Sequence, residues 1–300
     1  SPATGYYGKT SVGGSFALEL KLAGYDILAI HGKAENLTYL YINDKEIEIK
    51  EATNLWGENV RDTYNLLTKK HGRNLDIACI GPAGENLVNF AAIMCSIYNA
   101  AARCGGGAVM GSKNLKAIVV KGEKEIGVED SERFKKLVEI SRDNIKKDIM
   151  LQELAKYGTS GSVMAVNDAF VFPAKNYTLN HIENAYEYSG QKLADKGYLK
   201  GGVGCGACPV SCHRHSVLEK GVYSGTNTVG PEYETYSALG AGCMIDTEAT
   251  LKANDLCNIL GLDTISTGSV IQWSMECHEK GIIDEEDTDG LDLSWGNEKT

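Results

Sequence analysis

Three cysteines fall within eight residues, Cys205-Gly-Ala-Cys208-Pro-Val-Ser-Cys212, spaced C-x2-C-x3-C with no fourth cysteine close by. Thiolates are soft ligands, and closely spaced ones select Zn, Cu(I) or iron–sulfur clusters over hard cations. Gly204, Gly206 and Ala207 are small enough to let a loop wrap a bulky inorganic core. Zinc would accept the trio with His215 or a distant cysteine as fourth ligand. A four-iron cluster would need a fourth ligand remote in sequence, because the four-cysteine run of two-cluster ferredoxins is absent. Spacing alone leaves both open.

The other six cysteines are scattered, several inside apolar segments such as Asp76-Ile-Ala-Cys79-Ile. Each reads as a small core residue, and the set is not the framework of a small secreted scaffold. A reducing, cytoplasmic setting is the expectation. Hydrophobic residues make up 43% of the 300 and charged ones 23%, which is enough apolar surface for a real core. A net charge of -10 without a Lys/Arg-rich run argues against nucleic acid or an anionic membrane as partner. No apolar stretch reaches the length of a membrane span. The first residues, Ser1-Pro2-Ala3, and the polar last ones read as a fragment at both ends.

Apolar runs separated by turn residues place strands at Tyr25–His31, Leu37–Ile42, Glu46–Lys50, Leu75–Ile80 and Lys116–Lys121. Asn43-Asp44-Lys45 between the second and third is a hairpin signal, so the sheet is mixed or antiparallel. Glu58 to His71 reads as a helix stopped by Gly72. After about residues 122–130 the texture turns helical, over Glu132–Lys147, Glu232–Cys243, Thr247–Leu260 and Ser269–Lys280. Asp130-Ser131 and Thr247 are the expected caps. The fold class expected is α+β: a mixed or antiparallel sheet domain with helices, then a mainly α-helical domain.

Three further segments carry chemistry only in company. Arg103-Cys-Gly-Gly-Gly-Ala108 would let backbone amides approach a phosphate or heterocycle beside a fixed charge. It lacks the order of a P-loop, and its plain reading is a tight turn into the strand at 116–121. Gly230-Pro-Glu-Tyr-Glu234 reads as an ordinary acidic first turn, with Pro231 inside it. Asn258-Ile-Leu-Gly261-Leu-Asp263 reads as a helix–turn–helix connection, the second helix starting after Ser266.

Together and in this order, these runs carry a resemblance. With Gly13-Gly14…Glu19-Leu-Lys-Leu-Ala-Gly-Tyr-Asp26, Ile80-Gly-Pro-Ala-Gly-Glu-Asn-Leu-Val88, Phe90-Ala-Ala-Ile-Met94 and Gly107–Ile118, the chain resembles the tungsten-dependent aldehyde:ferredoxin oxidoreductase family over essentially its whole length. The resemblance implies that Cys205, Cys208 and Cys212 are three ligands of a 4Fe-4S cluster, the fourth lying outside this chain. It implies that Ser11, Gly13, Asn99, Ala100, Ala102 and Arg103 contact a tungsten (or molybdenum) bis-pterin. Asn258, Gly261, Leu262 and Asp263 fall on the first of two pterin loops, and Glu234 on an acidic residue near the metal. Residues 1–126 would then be a pterin-binding α+β domain incomplete at its N-terminus. Residues 127–300 would be a helical domain with the cysteine motif and that loop, incomplete at its C-terminus.

The chain departs from the pattern in places. Ser11 stands where well-known members have Asn, and Asn99 where they have Arg. Asn258 replaces the first Asp of the pterin loop, so a charge-assisted hydrogen bond becomes a neutral one. Lys252 stands where some members carry an acidic residue at an intersubunit metal, so that metal is not expected, while a homodimer stays open. The resemblance implies oxidation of a small aldehyde to a carboxylic acid, Glu234 serving the attacking water and ferredoxin taking the electrons. The competing readings are a zinc-stabilised, non-catalytic binding domain and a fragment that holds no cofactor.

Overall fold

A computed structural model describes residues 1–299. The chain divides into two compact units. The first comprises residues 1–140 together with 205–207 and 257–263, and the second holds the rest.

The first unit is built on a six-stranded sheet of order β2-β1-β6-β3-β4-β5. β1 (Thr38–Asn43) and β2 (Ile47–Glu51) form the expected hairpin, antiparallel, with Ile42 opposite Ile47. Asn43 Oδ1 closes its turn by accepting from the amides of Lys45 and Glu46 at 2.8 and 3.1 Å. β6 (Leu115–Lys121) lies parallel to β1 and antiparallel to β3 (Asp76–Cys79), so the sheet is mixed. β4 (Ile93–Cys95) and β5 (Asn99–Ala101) complete it as a second antiparallel hairpin that the sequence reading did not foresee. Their strands are three residues long, too short for a periodicity signal.

Tyr25–His31 is not a strand. The six strands of the sheet do not include it. Tyr25, Leu28 and Ile30 instead pack on the core around Ile42, Ile80 and Val120, and Ile27 stays exposed. Helix α1 (Phe16–Leu22) precedes this segment. α2 (Val60–His71) starts one residue after Asn59, whose side chain accepts from the Asp62 amide, and Gly72 stops it at φ 95°. Asn and Gly are the residues these two positions favour. α3 (Pro82–Glu85) follows β3.

The glycine run departs from its plain reading. It does not turn directly into β6: Cys104 and Gly105, both at φ 72°, turn the chain, and Gly106–Ser112 forms α4 before β6 begins. The run therefore lies between a strand, β5, and a helix.

The second unit carries α5 (Ser131–Lys147) only in part, then α6 (Ile149–Tyr157), α7 (Val163–Asp168) and α8 (Gly190–Asp195). Asp130 caps α5 through the Arg133 amide, as expected. A three-stranded antiparallel sheet, β7 (Leu199–Val203), β8 (His213–Val217) and β9 (Asn227–Val229), follows and was also missed. β7 reads Leu-Lys-Gly-Gly-Val and β8 His-Arg-His-Ser-Val, neither of them an apolar run.

The helix expected over Glu232–Cys243 is three pieces: α9 (Tyr233–Thr235), a π-helical turn (Tyr236–Gly240) and α10 (Ala241–Cys243). Glu232 is its cap position and Pro231, after a cis Gly230–Pro231 bond, lies outside it. α11 (Thr247–Leu260) is capped by Asp246, not Thr247: Asp246 Oδ1 accepts from the Ala249 amide at 2.7 Å. α12 (Thr264–Glu279) starts five residues before the expected Ser269. The core of this unit has two clusters, one with Phe172, Tyr188, Leu218, Tyr236 and Leu251 and one with Cys243, Ile245, Ala249 and Met275. No helix among the described residues is long and apolar enough to cross a membrane.

Candidate functional site

In the first unit, four sequence-distant segments meet. Gly261 ends α11 at φ 74°, a left-handed conformation that glycine adopts without a Cβ clash. The residues after it are stitched to the segment entering β4. Ala92 donates its amide to the Gly261 carbonyl at 2.8 Å, Leu262 bridges Ala91, and the Asp263 amide donates to the Phe90 carbonyl at 3.2 Å. This run of main-chain bonds fixes where Asp263 points.

Asp263 is 2% exposed, and burying a carboxylate is costly without a partner. Arg103 supplies one: its Nη1 lies 3.0 Å from Asp263 Oδ2, while the Arg103 side chain stays 56% exposed. Arg103 and Asp263 are 160 residues apart, and both were singled out from sequence. Asn258 is buried one turn earlier on α11. Ala100 and Ala102 pack against the core around Tyr39, Val60 and Ile77.

Asn99, at the start of β5, is buried, and Cys205 donates its thiol to Asn99 Oδ1 at 3.7 Å. A Cβ built on Gly13 would stand 2.7 Å from Cys205 Sγ and 3.3 Å from Asn99 Oδ1, so the backbone itself floors this pair. Ser11, two residues earlier, is exposed.

Asp76 lies behind the same segments and was not singled out. It is 2% exposed; Ser96 Oγ donates to its Oδ2 at 2.5 Å, the Ile77 amide donates to Oδ1, and the Ser15 amide donates to the carboxylate as well. Burial raises its pKa from the ordinary carboxylate value, against these hydrogen bonds. The signal available in the sequence was a lone acid inside the apolar run Leu75–Ile80.

In the second unit, Gly230–Glu234 is held by the three-stranded sheet and α11. The Gly230 amide donates to the Arg214 carbonyl at 2.8 Å, and Ser216 Oγ donates to the Gly230 carbonyl at 2.6 Å. Asn254, buried in α11, donates to Thr228 Oγ1 and the Val229 carbonyl and accepts from Thr235. Thr159 binds both the Glu232 carboxylate and the Tyr233 amide. Glu232 is thereby occupied at the cap, whereas Glu234 is exposed.

Cys208 is exposed and Cys212 partly so, in the loop between β7 and β8. A Cβ on Gly204 would meet Ser211 Oγ at 2.8 Å, so the base of that loop admits only glycine without adjustment. None of the nine cysteines is in a disulfide. Cys79, Cys95 and Cys243 are pushed up to about 12 by burial, the behaviour of inert thiols in an apolar core. His215, the alternative zinc ligand, is engaged through Nε2 by Asn227 Oδ1 at 2.7 Å. Among the described residues no three His, Cys, Asp or Glu side chains are drawn together as a metal site. In donor chemistry the trio suits a thiolate-held group: three solvent-reaching thiols, none in a disulfide, one of them seated on bare backbone at Gly13.

Comparison with known proteins fixes the class. The N-terminal domain model of aldehyde ferredoxin oxidoreductase matches residues 1–122, and the model for domains 2 and 3 matches residues 136–300. The chain therefore belongs to the aldehyde ferredoxin oxidoreductase family. Among its relatives, the tungsten-containing aldehyde ferredoxin oxidoreductase of Pyrococcus furiosus is 44% identical over 301 residues, covering 99% of this chain and 49% of the relative. The corresponding protein of Thermococcus kodakarensis is 43% identical, with 99% and 49% covered. An aliphatic sulfonate oxidoreductase, WOR-like subunit, from Pyrococcus furiosus is 33% identical over 99% of this chain and 52% of its own length. The chain spans about half the length of the curated relatives it matches. A solved structure, the active-site complex BamBC of benzoyl coenzyme A reductase with 1,5-dienoyl-CoA, aligns with TM-score 0.78 and 28% identity over 97% of this chain and 45% of that one.

Proposed function

We propose that this chain forms the cofactor-holding part of an enzyme that oxidises a small aldehyde to a carboxylic acid and delivers the electrons to ferredoxin, in the cytoplasm. The observation that carries the reading is the Arg103–Asp263 pair, which joins two site candidates 160 residues apart. When bound, a tungsten (or molybdenum) bis-pterin would supply two-electron oxidation with water as oxygen donor, and a 4Fe-4S cluster would release the electrons singly. Cys205, Cys208 and Cys212 would hold three corners of that cluster. Ser11, Gly13, Asn99, Ala100, Ala102 and Arg103, with Asn258, Gly261, Leu262 and Asp263, would hold the pterin. Arg103 brings positive charge to an anionic cofactor, and Asp263 both orients that guanidinium and keeps its own carboxylate compensated. Glu234, on the exposed side of α9, would orient the attacking water and take its proton. The domain boundary we favour falls near residues 122–130.

Two measurements on the full-length protein test this reading. Iron with acid-labile sulfide and a broad visible absorbance, both lost in Cys208→Ser, is the expected result. Stoichiometric zinc without colour would replace this reading by the structural-zinc one. In the loaded enzyme, Glu234→Gln should lower kcat by roughly a hundredfold, the lower end of what a positioned general base contributes. Unchanged turnover would remove Glu234 from the mechanism.

A further inference from the structure

We infer that Asn99 sets the electron affinity of the group held by Cys205, by presenting a neutral amide to its sulfur; this rests on the reading of Cys205 as a cluster ligand. The contact is built rather than incidental. Asn99 is 6% exposed, and its Oδ1 receives the Cys205 thiol. Both ends of the amide are flanked by main chain. A Cβ on Gly13 would lie 3.3 Å from Oδ1, and one on Gly14 would lie 2.9 Å from Nδ2. A side chain at either glycine would press on the amide, so the two glycines leave it its place beside Cys205.

The two segments that pinch it share one anchor. Asp76 accepts from the Ser15 amide, one residue past Gly14, and from Ser96 Oγ, three residues before Asn99. The Gly13–Gly14 bend and the β4–β5 hairpin are thus tied to the same buried carboxylate. Asp76 is a positioning residue in this account; Asn99 makes the contact.

The chemistry follows from what the sulfur carries. A thiol has an S–H to donate, and Oδ1 accepts that hydrogen bond. A metal-bound sulfur has none and is an acceptor, so Oδ1 would face like charge. Turning the amide about its last bond exchanges Oδ1 for Nδ2 and offers an N–H donor from the same place. Hydrogen bonds to cluster sulfurs raise the reduction potential, because they stabilise the more negative reduced state. A neutral amide does this less than a cation would and more than an apolar side chain.

The test uses full-length protein reconstituted with iron and sulfide, its cluster potential followed by EPR-monitored titration. Asn99→Leu, which keeps the bulk and removes the donor, should shift the midpoint to lower potential. Asn99→Asp, of the same shape but acceptor-only and charged, should shift it further the same way. A hyperfine coupling from a deuterium-exchangeable proton should disappear in both variants. Wild-type midpoints in both variants, each with its full iron and sulfide, would overturn the inference. If Asn99→Leu does not fold, the Asn99→Asp titration decides alone. Iron and sulfide analysis of the wild type precedes all of this: a wild type without a cluster overturns the underlying reading, and that failure is seen separately.

Discussion

Strands β3 and β6 of the six-stranded sheet are buried along almost their whole length, whereas β7 of the three-stranded sheet is exposed at its three middle residues. The first sheet is held by burial. Tyr39, Leu67, Ile77, Ala117 and Val119 lie on one side of it, and Ile42, Ala78, Ile80, Ile118 and Val120 on the other. The second sheet has little apolar surface to bury and is held by hydrogen bonds: Asn254 donates to Thr228 and Val229, Ser216 donates to the Gly230 carbonyl, and the Arg214 carbonyl accepts from the Gly230 amide. A sheet of the first kind is a scaffold that tolerates glycine-rich loops at its margin. One of the second kind can carry a mobile-looking composition, Gly201, Gly202 and Gly204, and still present a cysteine loop because its neighbours are locked from the side.

If that contrast is right, the first sheet should fail most severely where its burial includes a charge. Lys116 in β6 is fully buried and pairs with the Glu85 carboxylate, which is itself nearly buried; its Nζ also donates to the Glu58 carbonyl at 2.7 Å. Lys116→Met leaves a buried carboxylate uncompensated and should cost about 3–5 kcal/mol in urea unfolding. Adding Glu85→Gln should restore part of that loss, since the penalty lies in the orphaned charge. Additive losses would mean that the pair is not coupled.

The second sheet should be sensitive to a single amide instead. Asn254→Leu keeps the volume but strands Thr228, the Val229 carbonyl and Thr235 in a buried setting. The expected loss is about 2–3 kcal/mol, from donors and acceptors that no longer pair. Hydrogen exchange should rise in β8 and β9 and stay unchanged in β3 and β6. Equal loosening of both sheets would erase the distinction.

The same contrast explains what could be read from the sequence. β1, β2, β3 and β6 announce themselves because burial demands apolar runs or alternation, and the hairpin at Asn43–Lys45 has its own turn chemistry. β7 and β8 carry no such demand, so Leu199-Lys-Gly-Gly-Val and His213-Arg-His-Ser-Val read as loop. Tyr25–His31 shows the opposite error: the run is apolar because it packs on a core, not because it pairs in a sheet. At the site, the residue types were legible and their joining was not. Nothing in the sequence ties Asn99 to Cys205 or Arg103 to Asp263; only the chain path supplies those pairs. Thr247 lost its cap role to the neighbouring Asp246 because a carboxylate one residue earlier is the better acceptor for the Ala249 amide.

The smallest expected effect probes the point where the first unit's burial and its site coincide. Asp76 has its pKa raised in the folded state, because desolvation outweighs the hydrogen bonds it accepts. Between the ordinary carboxylate pKa and the raised one, the folded chain therefore binds more protons than the unfolded chain. Stability from this group is then greatest below the ordinary value and falls as pH climbs through the window. Asp76→Asn has no proton to lose, and its amide still offers Oδ1 to Ile77 while Nδ2 can donate to Ser96. The variant should match the wild type in acid, gain on it progressively as pH rises from the ordinary carboxylate value to the raised one, and keep a constant advantage above it, read as the difference in urea midpoint across pH. A pH-independent difference would mean that Asp76 is better solvated than its surroundings imply. The contrast between a sheet that stabilises by burial and one that stabilises by hydrogen bonding would then blur at the residue beside Ser15 and Ser96, where the site begins.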